Sequence, residues 1–215
     1  MNTSATPKPD PEIAVIVLAA GSSSRLGKPK QLLHYQNETL IKHAVKIALS
    51  VSPKAVIVVS GFLHEELVDE VEIEDLVQLI HNPDWQQGIG SSIRAGINAL
   101  SHHPGFLKVD AALILLCDQP LINTQHLQRL LAQFYTDKRS MVVATGYAET
   151  QGVPAIFDRA LFPVLQNLPP EKGAQWLFKA HQNNVAVIPF EGAAIDVDTE
   201  EDYRLLLALI IKPQP

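Results

Sequence analysis

What most constrains the fold of this chain is a repeated exchange between two hydrophobic patterns. Short apolar runs rich in Val and Ile alternate with longer stretches in which apolar residues recur at helical spacing. The runs are Ile13–Leu18 (IAVIVL), Ala55–Val59, Val77–Ile80, Ala111–Leu116 (AALILL), Met141–Ala144 and Val185–Ile188. Most are apolar at every position, so both faces of each strand need cover. Strands of a parallel sheet sandwiched between helices read this way. Between the runs, Leu127, Leu130, Leu131 and Phe134 fall at i, i+3, i+4 and i+7. Tyr203, Leu206, Leu207 and Ile210 repeat the pattern behind a Thr199-x-x-Asp202 capping box. Ile93, Ile97 and Leu100 form a third stripe behind Ser91-Ser92, which can cap that helix. The alternation predicts an α/β fold: a single doubly wound, mostly parallel sheet with helices on both faces.

The chain's 215 residues suit one such domain, over residues 13–215, behind a flexible N-terminal tail over residues 1–12 that holds three prolines. A hydrophobic fraction of 47% excludes a disordered chain, and a net charge of −6 removes any broad basic footprint for nucleic acid. One cysteine excludes a disulfide framework and a cysteine-rich zinc site, and fits a reducing compartment. The first residues lack the apolar stretch of a signal peptide, and Leu205–Ile211 is too short to cross a bilayer. These readings predict a soluble cytoplasmic protein with no nucleic-acid or membrane partner.

The first strand runs into Ala19-Ala20-Gly21-Ser22-Ser23-Ser24-Arg25-Leu26-Gly27-Lys28-Pro29-Lys30. Small residues at the carboxyl end of a strand let backbone N–H groups approach phosphate oxygens. The loop is neither a Walker A motif, since Pro29 follows Lys28, nor a dinucleotide fingerprint, since Ser23 stands where the second glycine is required. Its charge pattern is informative. No acid lies between Glu12 and Glu38, yet Arg25, Lys28 and Lys30 all fall in that window. Three cations beside a Gly/Ser turn in an acidic protein make a local anion site; a solvated surface turn is the plain alternative.

Asp118 follows AALILL-Cys117 and so ends a buried strand on the edge that carries the Gly21 loop. A carboxylate there suits Mg²⁺ beside a bound triphosphate, although an Asp before Gln119-Pro120 is also an ordinary turn residue. Cys117 reads as a buried apolar residue. Asp196 and Asp198 alternate before the last helix and point the same way at strand spacing, so one or both can complete a metal site. Gly88 and Gly90 mark a second small-residue loop that permits close ligand approach, with Ser91 and Ser92 at a helix start. The eight histidines show no metal spacing.

These motifs together carry a resemblance. LAAGSSSRLGKPKQLL is similar to the family pattern L-A-A-G-x-S-x-R-x-G-x-P-K-x-L-L of molybdenum cofactor cytidylyltransferase-like nucleotidyltransferases. NPDWQQGIGSSIRAGI, LLCDQPLI, GVPAIF and DVDTEEDY continue it in order over nearly all of residues 13–205. The resemblance implies a Rossmann-like nucleotidyltransferase fold and transfer of CMP from CTP to the phosphate of molybdopterin or its molybdenum form, with release of pyrophosphate. It implies nucleotide binding by Leu18, Ala19, Ala20, Gly21, Ser22, Arg25, Lys30, Gly88, Ser91 and Ser92. It also implies catalytic roles for Arg25, Lys30 and Asp118, and Mg²⁺ on Asp118 and Asp198, with Asp196 left open. Its partners are CTP, a pterin-phosphate acceptor and a molybdenum hydroxylase that receives the product. Guanylyl relatives carry Gly where this chain has Ala20. The chain departs from the family at Pro170-Glu171-Lys172-Gly173-Ala174-Gln175, where Gly-Asp-x-Gly-Ala-Arg is common, and that bears on the acceptor. Transfer to another phosphorylated acceptor, a non-catalytic molybdenum cofactor chaperone and a nicotinamide-dependent oxidoreductase are the alternatives.

Overall fold

The computed structural model describes residues 12–71, 76–137 and 139–211. The expected tail, apart from Glu12, and the side chain of Ile210 lie outside the described residues. In chain order the elements begin with β1 (Ile13–Ala19), a small hairpin of β2 (His34–Tyr35) and β3 (Glu38–Thr39), and α1 (Leu40–Leu49). Then come β4 (Ala55–Ser60), α2 (His64–Glu70), β5 (Val77–His81), α3 (Ile89–His102), β6 (Ala111–Leu116) and α4 (Thr124–Thr136). The chain closes with β7 (Val142–Tyr147), β8 (Thr150–Asp158), α5 (Phe162–Gln166), α6 (Ala174–Ala180), β9 (Val185–Pro189) and α7 (Glu200–Ile211).

Seven strands form one sheet in the order β5-β4-β1-β6-β8-β7-β9. β1 is central and buried along its whole length, pairing parallel with β4 through Ile16↔Ile57 and with β6 through Ile16↔Ile114. The predicted doubly wound, mostly parallel sheet is therefore present. Successive β1 side chains serve opposite faces, as the period of two requires. Val15 and Val17 pack with Ile41, Leu67 and Leu127 of α1, α2 and α4. Ala14, Ile16 and Leu18 pack with Ile93, Phe162 and Leu177 of α3, α5 and α6. A Cβ on Gly96 would stand 2.6 Å from Cγ2 of Ile16, so a glycine there lets α3 lie close on β1. A third cluster joins Leu26, Leu33, Tyr35 and Leu40 to Val197 and Leu206, tying α7 to the segment after β1.

β8 has no counterpart among the predicted strands, and it alone runs against the others, antiparallel to both β6 and β7. Its sequence, TQGVPAIFD, has a polar start, a Gly and a Pro, which argue against a strand inside a sheet. The register explains its presence. Ala144 pairs with Ala155 but Thr145 pairs with Gly152, so Val153 and Pro154 fall in an irregularity where no ladder donor is needed. A second correction concerns α3. Its N-cap is Gly88, and Ser91 lies inside the first turn, its hydroxyl donating to the carbonyls of Gly88 (2.8 Å) and Asp84 (2.9 Å). The Thr199–Asp202 box forms as expected: Thr199 N donates to Asp202 (2.8 Å) and Asp202 N to Thr199 Oγ1 (3.2 Å).

The bulge also fixes a buried histidine. Thr145 Oγ1 donates to the Pro154 carbonyl at 2.6 Å and lies 2.8 Å from Nε2 of His126. The threonine oxygen therefore accepts from Nε2–H, which assigns the tautomer and leaves Nδ1 bare and buried without a partner. Burial, with a smaller contribution from Arg129, pushes the His126 pKa down to about 4. Because an unfolded histidine titrates near 6.5, this group contributes stability that is complete above that pH and is lost as pH falls towards 4. We expect a loss of about 3 kcal/mol across that window, read as the urea midpoint against pH. His126→Leu should flatten the dependence; an unchanged slope would assign it elsewhere.

Among the described residues no helix is long and apolar enough to cross a membrane. The chain moves from β1 to β4 and β5 on one side and then crosses to β6 on the other. This reversal opens a crevice at the carboxyl ends of β1 and β6, where ligands bind in open α/β sheets.

Candidate active site

Two loops and the approach to α7 converge on that crevice. After β1 the chain turns through Ser23 and Gly27, both at positive φ, into a 3-10 turn over Lys30–Leu32. The turn places the Lys30 Nζ between two carboxylates: it donates to Asp118 Oδ2 and, at 3.0 Å, to Asp198 Oδ1. Arg25 reaches the other Asp198 oxygen at 2.7 Å, and Lys28 pairs with Glu200 at 3.0 Å. Each cation of the acid-free segment therefore faces an acid supplied from β6 or the start of α7. Asp118 and Asp198 flank one nitrogen and so meet at one place, as the paired-carboxylate reading requires.

The electrostatics follow from this geometry. Burial alone would lower the Lys30 pKa, but the charge of Asp118 and the hydrogen bonds to both acids outweigh it and raise the ammonium above its ordinary value. Burial opposes ionisation of Asp198 as well; hydrogen bonding and charge from Lys30 and Arg25 overcome it and lower that carboxyl. Asp196 behaves differently. Burial, then repulsion from Asp118, lifts it to about 6, and its Oδ1 is buried without a partner. It is not on a strand, and the Lys30 ammonium bonds Asp118 and Asp198 but not its carboxyl. The Cys117 thiol is pushed far up by burial and by Asp118, which removes it as a nucleophile.

The second loop is held from behind. Asn82, almost fully buried, donates through Nδ2 to the hydroxyls of Ser91 (2.9 Å) and Ser92 (3.1 Å). A Cβ on Gly88 would meet the Pro170 carbonyl oxygen at 2.6 Å, and one on Gly90 the Pro169 carbonyl oxygen at 2.2 Å. Gly90 N also donates to Pro170 O at 2.9 Å. The bare faces of both glycines are thus turned to the 169–172 loop, a packing role that their spacing does not suggest. The departing stretch Pro170–Gln175 is accordingly the support of this loop, and it leads into α6.

The crevice is a cavity of about 340 Å³. Leu18, Ala19, Ala20, Gly21, Ser22, Lys30, Gly88, Ser92 and Asp118 line it, with Trp85, Gln86, Ile89 and Gln31. An adjoining cleft of about 110 Å³ shares Gly21 and Lys30 and adds Arg25 and Asp198. Ser91 sits behind the wall. Sequence reasoning passes over Gln31, Asn82 and Trp85. For Gln31 the available signal is a polar residue followed directly by Leu32-Leu33; for Asn82 and Trp85 it is their place in the glycine-bearing loop.

A family model described as the MobA-like NTP transferase domain matches residues 15–185. The chain belongs to this family. It is a nucleotidyltransferase, as the loop motifs imply. Nicotine blue oxidoreductase from Paenarthrobacter nicotinovorans is 30% identical over 205 residues, 91% of this chain and 97% of its own length. Molybdenum cofactor cytidylyltransferase from Escherichia coli is 34% identical over 95 residues, 44% of this chain and 49% of its own. The crystal structure of Rv0371c from Mycobacterium tuberculosis superposes with a TM-score of 0.77 at 27% identity, covering 94% of this chain and all of that one (100%). A complex of that protein with manganese superposes at 0.73 and 26% identity, covering 92% of this chain and 98% of the other. In this MobA-like chain, the matched span contains every predicted nucleotide-binding residue and Asp118, while Asp198 lies beyond it.

Proposed function

We propose that this protein transfers the CMP group of CTP to the phosphate of molybdopterin or its molybdenum form, releasing pyrophosphate, in the cytoplasm. The observation that carries the reading is the meeting of Lys30, Arg25, Asp118 and Asp198 beside a cavity lined by the Gly21 loop. The nucleophile is a phosphate oxygen, anionic near neutral pH, so the site needs no strong general base. Its task is to align that oxygen with the α-phosphorus and to neutralise charge on the leaving pyrophosphate. Arg25 and Lys30 are the cations for the leaving group, and the backbone of residues 20–22 cradles the phosphates.

Asp118 and Asp198 are the residues to hold Mg²⁺ or a similar divalent cation, whose charge stabilises phosphate oxygens when bound. The donor set fits: both are hard oxygen ligands, and Asp118 Oδ1 has no hydrogen-bond partner. Among the described residues no group of three or more His, Cys, Asp or Glu is placed for a metal, so such an ion would complete its shell with phosphate and water. The manganese complex of the mycobacterial neighbour supports the same reading. A molybdenum hydroxylase is the proposed recipient of the product. A second reading, the same chemistry on another phosphorylated acceptor, is favoured by the uncharged Gln175 and Pro170 where the family carries Arg and Gly.

The test is pyrophosphate release from each ribonucleoside triphosphate with Mg²⁺ and molybdenum cofactor. CTP should exceed GTP by roughly 10-fold, because the Ala20 methyl narrows the base pocket against a purine, and Ala20→Gly should reduce that ratio. Equal rates with CTP and GTP would remove the cytidylyl assignment. Release only with a sugar phosphate would establish the second reading. Cofactor binding without any release would point to a chaperone, and NADPH binding without release to the activity named for the Paenarthrobacter relative.

A further inference from the structure

We propose that Gln31 is a positioning residue that holds the loop after β1 in its anion-binding form. The inference rests on the nucleotide-binding reading above and adds to it a residue outside the predicted site. Gln31 is fully buried although polar (0% exposed). Its Nε2 donates to two main-chain carbonyls of the loop, Ala19 at 2.9 Å and Gly21 at 2.7 Å. Its Oε1 accepts from the Ser23 hydroxyl at 3.4 Å, and Ser23 Oγ in turn accepts from Lys30 N at 3.0 Å. The intervening carbonyl, Ala20, accepts from Phe62 N at 3.2 Å.

Three consecutive carbonyls are therefore bonded to protein donors. The peptide bonds of the loop are trans, so the C=O and the following N–H lie in one plane and point in opposite directions. Turning the carbonyls of residues 19, 20 and 21 onto Gln31 and Phe62 turns the N–H groups of Ala20, Gly21 and Ser22 away from those partners. None of these three N–H groups has a hydrogen-bond partner among the described residues, and all three residues line the cavity. Successive free amides of this kind make an anion-binding concavity. Gln31 acts twice: it removes two carbonyl dipoles that would repel phosphate, and it holds the amides before ligand arrives. Through Ser23 it also couples the loop to the backbone of Lys30, whose side chain holds the two acids.

The test compares wild-type protein with Gln31→Met, which keeps the side chain's length and removes its amide donors. Affinity for Mg²⁺–pyrophosphate is measured by calorimetry at 15 °C on material shown to be folded by circular dichroism. We expect pyrophosphate to bind Gln31→Met at least 10-fold more weakly. The KM for CTP should rise by a similar factor, while kcat changes less than KM. A purely structural role would lower the melting temperature and leave the affinity of the folded protein unchanged, and that result would overturn the proposal. Should Gln31→Met fail to fold, Ser23→Ala decides: it removes only the outer arm of the clamp and should weaken pyrophosphate roughly 3-fold, and unchanged affinity would overturn the proposal. Wild-type protein that binds neither pyrophosphate nor any nucleoside triphosphate would overturn both this inference and the function on which it rests. Tight binding by wild type and Gln31→Met alike would overturn this inference alone.

Discussion

Lys30→Met is expected to lower nucleotidyl transfer by roughly 10²–10³-fold, the effect of removing one positioned cation from a partly desolvated phosphate site. The same substitution should cost stability in the absence of substrate. The lysine and Asp118 side chains are only 14% and 13% exposed, so the ion pair is largely withheld from water. Removing one partner leaves a buried carboxylate uncompensated, with Asp198 close by and of the same sign. Losses of about 3 kcal/mol follow from breaking pairs of this kind. A divalent cation can take the place the ammonium leaves. Mg²⁺ should therefore raise the melting temperature of Lys30→Met more than that of the wild type. Wild-type turnover in the variant would remove Lys30 from the chemistry, and an equal Mg²⁺ effect on both proteins would separate the lysine from the metal site.

Asp118→Asn and Asp198→Asn are each expected to lose most turnover, and the double variant little more, because residues that act on one ion behave as a unit. Their effects on stability should differ. Considered from the sequence alone, two carboxylates at an empty metal site repel, and removing either relieves that repulsion. Lys30 reverses this expectation for Asp118, since its nitrogen lies between the acids and loses its better-buried partner. Asp198 is 34% exposed and shares its charge with Arg25, so solvent compensates its loss more fully. Asp118→Asn should consequently lower the melting temperature more than Asp198→Asn. Additive losses of activity, or the opposite order of melting temperatures, would refute a shared site built on Asp118.

Much of the sheet was legible because its signal is local. A strand covered on both faces must be apolar throughout, so β1, β4 and β6 announce themselves whatever lies beside them. The stripe on α4 was equally legible, and Leu127, Leu130, Leu131 and Phe134 are all buried. The Gly21 loop could be placed at a strand's carboxyl end, and its run of cations without an intervening acid marked it for anions. Asp118 was singled out by the same logic, from the strand that ends two residues before it.

What escaped depends on neighbours. β8 reads poorly because Gly152 and Pro154 break its pattern, and only its register against β7 puts the proline where no donor is missed. That Gly88 and Gly90 also pack against the 169–172 loop shows only once that loop is seen against them. Ser91 and Ser92 look like caps until Asn82 and the preceding carbonyls claim their hydroxyls. Lys30 reads as a free cation until Asp118 and Asp198, 88 and 168 positions away, close on it. The sequence by itself determined the fold class and brought the Gly21 loop and Asp118 to one edge of the sheet, since periods of two and 3.6 and the chemistry of single loops need no distant partner. The tertiary structure alone decided which charges pair, which glycines pack and which glutamine holds the loop, because those contacts exist only once strand order has brought remote segments together.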